Sequence, residues 1–180
     1  MIIKFNPEGR VLMVFGRKKE ASDENSEPWK HPNPPLPPID GQFRQPTDVA
    51  WDAQGNIFIS DGYVNSRVAK FDKNGDWVKS WGEPGKGPGQ LNTPHSIATD
   101  AKGNVYVADR GNARVQVFDG DGKLLRQIKI SLPVPPGARP AIGNMLSPEA
   151  GPGTQSPGAP WAICITPGPN PVMYVSDAFP

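Results

Sequence analysis

Two stretches of this 180-residue chain repeat each other at a spacing of 47 to 48 residues, each stretch holds four short apolar runs bounded by turn signals, and helical periodicity is weak throughout. Together these observations predict an all-β fold, a β-propeller of four-stranded blades. Helical solenoids of similar period would need long amphipathic helices, and the sequence has none.

The copies are residues 45–82 and 93–129. Pro46, Asp52, Gly55, Asn56 and Asp61 recur 48 positions later as Pro94, Asp100, Gly103, Asn104 and Asp109. Arg67, Val68, Phe71, Asp72 and Gly75 recur 47 positions later as Arg114, Val115, Phe118, Asp119 and Gly122, so the first copy holds one extra residue around Gly62 to Val64. Partial copies flank these: residues 2–16 match 68–82, and residues 160–178 match the opening half of the unit.

Taken in order, the chain reads as a half-blade at 1–16, a loop at 17–44, a blade at 45–82, a connector at 83–92, a blade at 93–129, a Pro/Gly-rich loop at 130–159 and a half-blade at 160–180. Within the first full blade the strands are DVAW, NIFIS, RVAKF and DWVKSW, separated by Gly-Asn and Asn-Gly turn signals. These amount to about three blades, whereas propellers close with typically 4 to 8. The expectation is a piece of a longer propeller. The alternative is a ring assembled from two chains through their open blade edges.

Composition narrows the function classes. Nineteen Lys and Arg against 18 Asp and Glu leave a formal charge of +1, without the basic footprint that nucleic acid or an anionic membrane demands. No apolar run approaches a membrane span, and MIIKFNPEGR lacks the pattern of a signal peptide, so the chain as given reads as soluble. Cys164 is the sole cysteine and has no partner for a disulfide or a thiolate metal site. The 20 Gly and 23 Pro fall mostly in turns and connectors.

Residues present in both copies serve the blade; residues present in one are free to serve something else. Asp61 with Arg67, and Asp109 with Arg114, are shared and are expected to bridge the second and third strands. Among the unshared, His95 replaces Thr47, Arg110 replaces Gly62, and Tyr63 lies beside the extra residue. Propeller topology puts the start of an inner strand and the loop between second and third strands on one face, so His95, Tyr63 and Arg110 are expected together there. Imidazole can ligate a metal or act as base, phenol can shuttle a proton, and guanidinium can clamp a carboxylate. Each also has a scaffold reading: a hydrogen-bonded strand-start histidine, a ring capping a loop, a bridging or solvated arginine. His31 reads as a loop residue. Trp51, Trp77, Trp81 and Trp161 read as inter-blade packing, with Trp161 at a strand start that can reach the face. Turns such as DKNGD and DGDGK lack the spaced acidic ligands of a calcium loop.

The motifs QPTDVA, SDGYVNSR, WGE with its Gly/Pro-rich loop, PHS and ADRGNARVQVF resemble NHL repeats, and from Phe43 to Lys129 they are similar to those of the peptidyl-α-hydroxyglycine α-amidating lyases. The resemblance implies a six-bladed propeller, of which this chain holds about three blades, and cleavage of a small peptide-like substrate to a peptide amide and glyoxylate. By the same resemblance His95, after Pro94, matches one of three zinc-binding histidines, Tyr63 a catalytic base and Arg110 an active-site arginine. Calcium in the complete protein and a secreted or periplasmic location are further implications. The starts Pro46-Thr47 and Pro160-Trp161 depart from the histidine pattern, and the isolated chain is expected to be inactive. The rival expectation is a non-catalytic NHL propeller that binds a peptide, glycan or protein on its loop-rich face.

Overall fold

A computed structural model describes residues 1–16, 37–131 and 158–177. His31 and most of the two long connectors lie outside the described residues. The described residues form twelve strands: β1 (Ile2–Phe5), β2 (Val11–Phe15), β3 (Asp48–Trp51), β4 (Ile57–Asp61), β5 (Arg67–Phe71), β6 (Trp77–Trp81), β7 (Pro94–Thr99), β8 (Val105–Asp109), β9 (Arg114–Phe118), β10 (Leu124–Lys129), β11 (Pro160–Ile165) and β12 (Met173–Asp177). They form two antiparallel four-stranded sheets, β3-β4-β5-β6 and β7-β8-β9-β10, flanked by the two-stranded sheets β1-β2 and β11-β12. The only helical piece described is a 3-10 turn, Arg110–Asn112. The all-β propeller-type fold stands as expected.

Strands β4, β5, β8 and β9 are buried on both faces because each four-stranded sheet is sandwiched between neighbours. In β4, Phe58 faces the next blade while Ile57 and Ile59 face the β1-β2 sheet, following the two-residue period of a strand. One core joins Ala50, Phe58 and Val68 to Leu91, Ile97, Val105, Val107 and Phe118 across the two blades, with Trp81 against it. A second joins Phe15 and Phe43 to Ile57, Ile59, Ala69 and Phe71; a third joins Tyr106, Ala108, Val115 and Val117 to Ile163. Full burial of each large apolar side chain contributes roughly 1.5–3 kcal/mol. Trp77 packs edge-on to Phe71 with ring centroids 5.3 Å apart, and Trp81 stands 6.0 Å from Phe118.

Trp51 departs from the packing expectation, since it is 68% exposed. It ends the inner strand β3, and the sheet before it consists of β1 and β2, which match the two outer strands of a blade, so no inner strand among the described residues covers its ring. Trp51 instead lines an apolar cleft of about 440 Å³ with Ile2, Ile3, Phe5, Val49 and Ile57. Phe5, 54% exposed, stands where the full blade has Phe71 at 5%, for the same reason.

Inner strands are laced to one another by side chains. Asp48 Oδ2 accepts from Ser96 Oγ at 2.6 Å and from the Ile97 amide at 3.1 Å. Ser96, the Asp48 equivalent one blade on, accepts in turn from the Ile163 amide at 3.1 Å. Thr99 Oγ1 donates to the Trp51 carbonyl at 2.6 Å.

The shared acid and arginine anchor the connectors. Arg114 Nε donates to Asp109 Oδ2 at 2.6 Å, while its terminal nitrogens donate to the carbonyls of Lys86, Gly87 and Gln90 and to Gln127 Oε1. Arg67 Nε likewise donates to Asp61 at 3.2 Å and its NH2 reaches the carbonyls of Ile39 and Gln42. Burial pushes the Asp61 and Asp109 carboxyls up from the usual carboxylate range, against the pull of these donors. The arginine is the device that holds each entering loop against its blade.

Candidate functional site

The structure brings Tyr63, His95 and Arg110 together, and adds Trp161. Three local features deliver them. The loop between β4 and β5 carries one residue more than the loop between β8 and β9, as the copy comparison predicts, and Tyr63 projects from it. Both loops end on a left-handed residue just before the anchoring arginine, Ser66 at φ 50° and Ala113 at φ 50°. Strand register slips between Pro94 and Ser96 and again between Pro160 and Ala162, which leaves His95 and Trp161 as the bulged residues of their inner strands. A bulge releases a side chain from the strict alternation of the strand and re-aims it.

Tyr63 Oη lies 3.3 Å from His95 Nε2 and 3.4 Å from an Arg110 terminal nitrogen. His95 Nδ1 lies 2.7 Å from the Trp161 carbonyl oxygen, the two rings being 4.9 Å apart. The Arg110 guanidinium sits 3.5 Å above the Trp161 ring, a cation–π contact. Arg110 itself is only 4% exposed.

Donor and acceptor capacities fix the directions of these bonds. A carbonyl oxygen only accepts, so Nδ1 carries the hydrogen and Nε2 of the neutral ring is an acceptor. Burial, together with repulsion from Arg110, holds the imidazole below its ordinary value against the pull of the Trp161 carbonyl, which favours that neutral form. Tyr63 therefore donates to His95, and Arg110 donates to Tyr63. Burial also pushes the Arg110 guanidinium down, and the Tyr63 oxygen opposes it.

The two copies separate scaffold from site. Thr47 Oγ1 donates to the Pro94 carbonyl at 2.8 Å, which ties its inner strand to the next. His95, at the same repeat position, also ties its inner strand to the next, through Nδ1 and one carbonyl further along, at Trp161. An imidazole that has done this still has Nε2 left over, facing Tyr63. The remaining capacity of the Thr47 hydroxyl goes to Ser60 Oγ, 2.8 Å away within its own blade.

The fit to a metal is limited. Among the described residues no group of three His, Cys, Asp or Glu side chains could hold an ion. His95 alone suits one position of a coordination sphere, since its Nδ1–H is already held by a carbonyl in the way ligating histidines are oriented. One nitrogen does not hold a zinc ion.

The sequence model of the NHL repeat matches residues 43–71 and 91–118. Peptidylglycine alpha-amidating monooxygenase of Rattus norvegicus is 37% identical over 138 residues, which are 71% of this chain and 12% of that protein. A probable peptidyl-alpha-hydroxyglycine alpha-amidating lyase of Caenorhabditis elegans is 56% identical over 34 residues, 19% of this chain and 10% of that protein. NHL repeat-containing protein 3 of Mus musculus is 45% identical over 123 residues, 66% of this chain and 31% of that protein. The chain thus spans about an eighth of the rat enzyme it matches. Residues 43–71 and 91–118 match the NHL repeat, and over the residues aligned the chain is similar to the peptidylglycine α-amidating enzymes.

Proposed function

We propose that this chain forms one sector of a lyase site that cleaves a peptidyl-α-hydroxyglycine to the peptide amide and glyoxylate. The observation that carries the reading is Tyr63 Oη held between His95 Nε2 and Arg110 on the loop-bearing face. In the proposed step Tyr63 Oη takes the proton of the substrate hydroxyl as its own proton moves to His95 Nε2, which returns it when the products leave. The O–H electron pair then forms the C=O bond of glyoxylate while the C–N bond breaks. Its electrons go to the departing amide nitrogen, which receives the proton back from Tyr63. Arg110 holds the substrate carboxylate. Zinc held by His95 would take the Nε2 lone pair that meets Tyr63 here, and would polarise the substrate oxygens. Its other ligands lie beyond the described residues, and no step above depends on it.

Glyoxylate release from an N-acyl-α-hydroxyglycine by the protein as its source expresses it tests the reading. The expected result is turnover that Tyr63→Phe lowers by two or more orders of magnitude, in the range of general base catalysis. Turnover that survives Tyr63→Phe unchanged would sink the mechanism. The similarity to NHL repeat-containing protein 3, whose name carries no reaction, supports a second reading as a peptide- or protein-binding propeller. That reading predicts no glyoxylate and no zinc retained through dialysis.

A further inference from the structure

Trp161 enters the site on four separate observations. Its position is the bulged residue of an inner strand, as His95 is. Its carbonyl fixes the tautomer of His95. Its ring carries the Arg110 guanidinium at 3.5 Å. Finally, its indole Nε1 is a buried donor with no hydrogen-bond partner. A buried N–H without a partner is costly, and such groups in folded proteins generally have an acceptor supplied from somewhere. Packing explains the ring but not the orphaned donor.

We infer that Trp161 is a ligand-binding residue, and that its Nε1–H donates to the carboxylate of an N-acylglycine-type ligand whose charge Arg110 neutralises. The chemistry matches on both counts. A carboxylate has about four acceptor sites, so one group can serve the guanidinium and the indole together. A guanidinium held against an indole face keeps its charge while the ring fixes its position beside the indole edge. Removing the indole therefore removes one hydrogen bond and loosens the arginine that makes the others. This inference rests on the lyase reading for the class of ligand, and it adds the residue that selects for a terminal carboxylate.

The test uses N-benzoylglycine, a stable ligand that cannot react, with the full chain labelled at its tryptophans. The Trp161 indole N–H resonance is identified by its loss in Trp161→Phe. Titration is expected to shift that resonance in a saturable way, and Trp161→Phe, which keeps an aromatic ring under Arg110, is expected to bind on the order of tenfold more weakly. N-methylbenzamide, which lacks the carboxylate, is expected to leave the resonance in place. No shift with N-benzoylglycine, an equal shift with N-methylbenzamide, or unaltered affinity in Trp161→Phe would each overturn the inference. Where Trp161→Phe fails to fold, the two titrations of the unaltered chain decide it, with the resonance identified by sequential assignment. Glyoxylate release is read independently, so failure of the reaction and failure of the contact are distinguishable.

Discussion

Gly62 stands so close to Pro94 of the next blade that a Cβ on it would fall 1.9 Å from the Pro94 carbonyl oxygen and 3.0 Å from Thr47 Cγ2. The same carbonyl receives the Thr47 hydroxyl. The absent side chain lets the β4-β5 loop lean against the start of β7, which is what carries Tyr63 to His95.

Gly62→Ala is therefore expected to destabilise the chain by about 1–3 kcal/mol, the range for overpacking a filled space. It should also part Tyr63 from His95, because the nearest obstructing atom, the Pro94 carbonyl oxygen, is backbone and cannot swing away. Urea unfolding gives the first quantity, and the exchange rate of the Tyr63 hydroxyl proton gives the second.

Arg114→Met is expected to cost about 3–5 kcal/mol, since it leaves the Asp109 carboxylate buried without its cation, strips the arginine from the Lys86 and Gly87 carbonyls and leaves that of Gln90 to Gln116. The protease sensitivity of residues 83–92 should rise with it. A loss below about 1 kcal/mol would show that the remaining donors to Asp109, from Asn92, Asn112 and Gln116, satisfy it alone.

Acid stability should depend on the outer hairpin turns. Backbone amides of Asp76 and Lys123 lead the donors that hold the Asp72 and Asp119 carboxyls below their ordinary value. The unfolded chain takes up these protons near pH 4, but the folded chain only at lower pH. Their contribution is thus present above about pH 4 and is lost as pH falls through the folded values. The double variant Asp72→Asn, Asp119→Asn should show a shallower fall in melting temperature below about pH 4 than the parent chain.

Trp51→Thr, which installs the residue found at the same position of the next blade, should change stability by no more than about 0.5 kcal/mol in the chain as described, because the ring is already in solvent. A larger loss on thermal melting would mean that something covers the cleft beside it.

The repeat was legible in the sequence because scaffold residues recur: Asp61 with Arg67 and Asp109 with Arg114 sit in register in both copies and form the ion pairs that register suggests. The grouping of Tyr63, His95 and Arg110 was legible for the opposite reason, since each breaks the repeat on one face. Trp51 was misread because a tryptophan in a strand looks alike whether or not a neighbouring strand covers it. The bulges at His95 and Trp161 were invisible, since register is a relation between two strands and Pro-His or Pro-Trp carries no mark of it. Trp161 was legible as a strand-start residue able to reach the face, at the repeat position of His95 and Thr47; its contacts with His95 and Arg110 were not.

The lacing of inner strands through Asp48, Ser96 and Ile163 also bears on how a ligand is received. It makes three sheets move as one plate, so the separation between the loop bearing Tyr63 and the strand bearing Trp161 is settled during folding. A ligand arriving at such a plate has little chain entropy left to quench and no closure to wait for. Its association should follow a single step whose rate rises linearly with concentration, with selectivity expressed in how slowly it leaves.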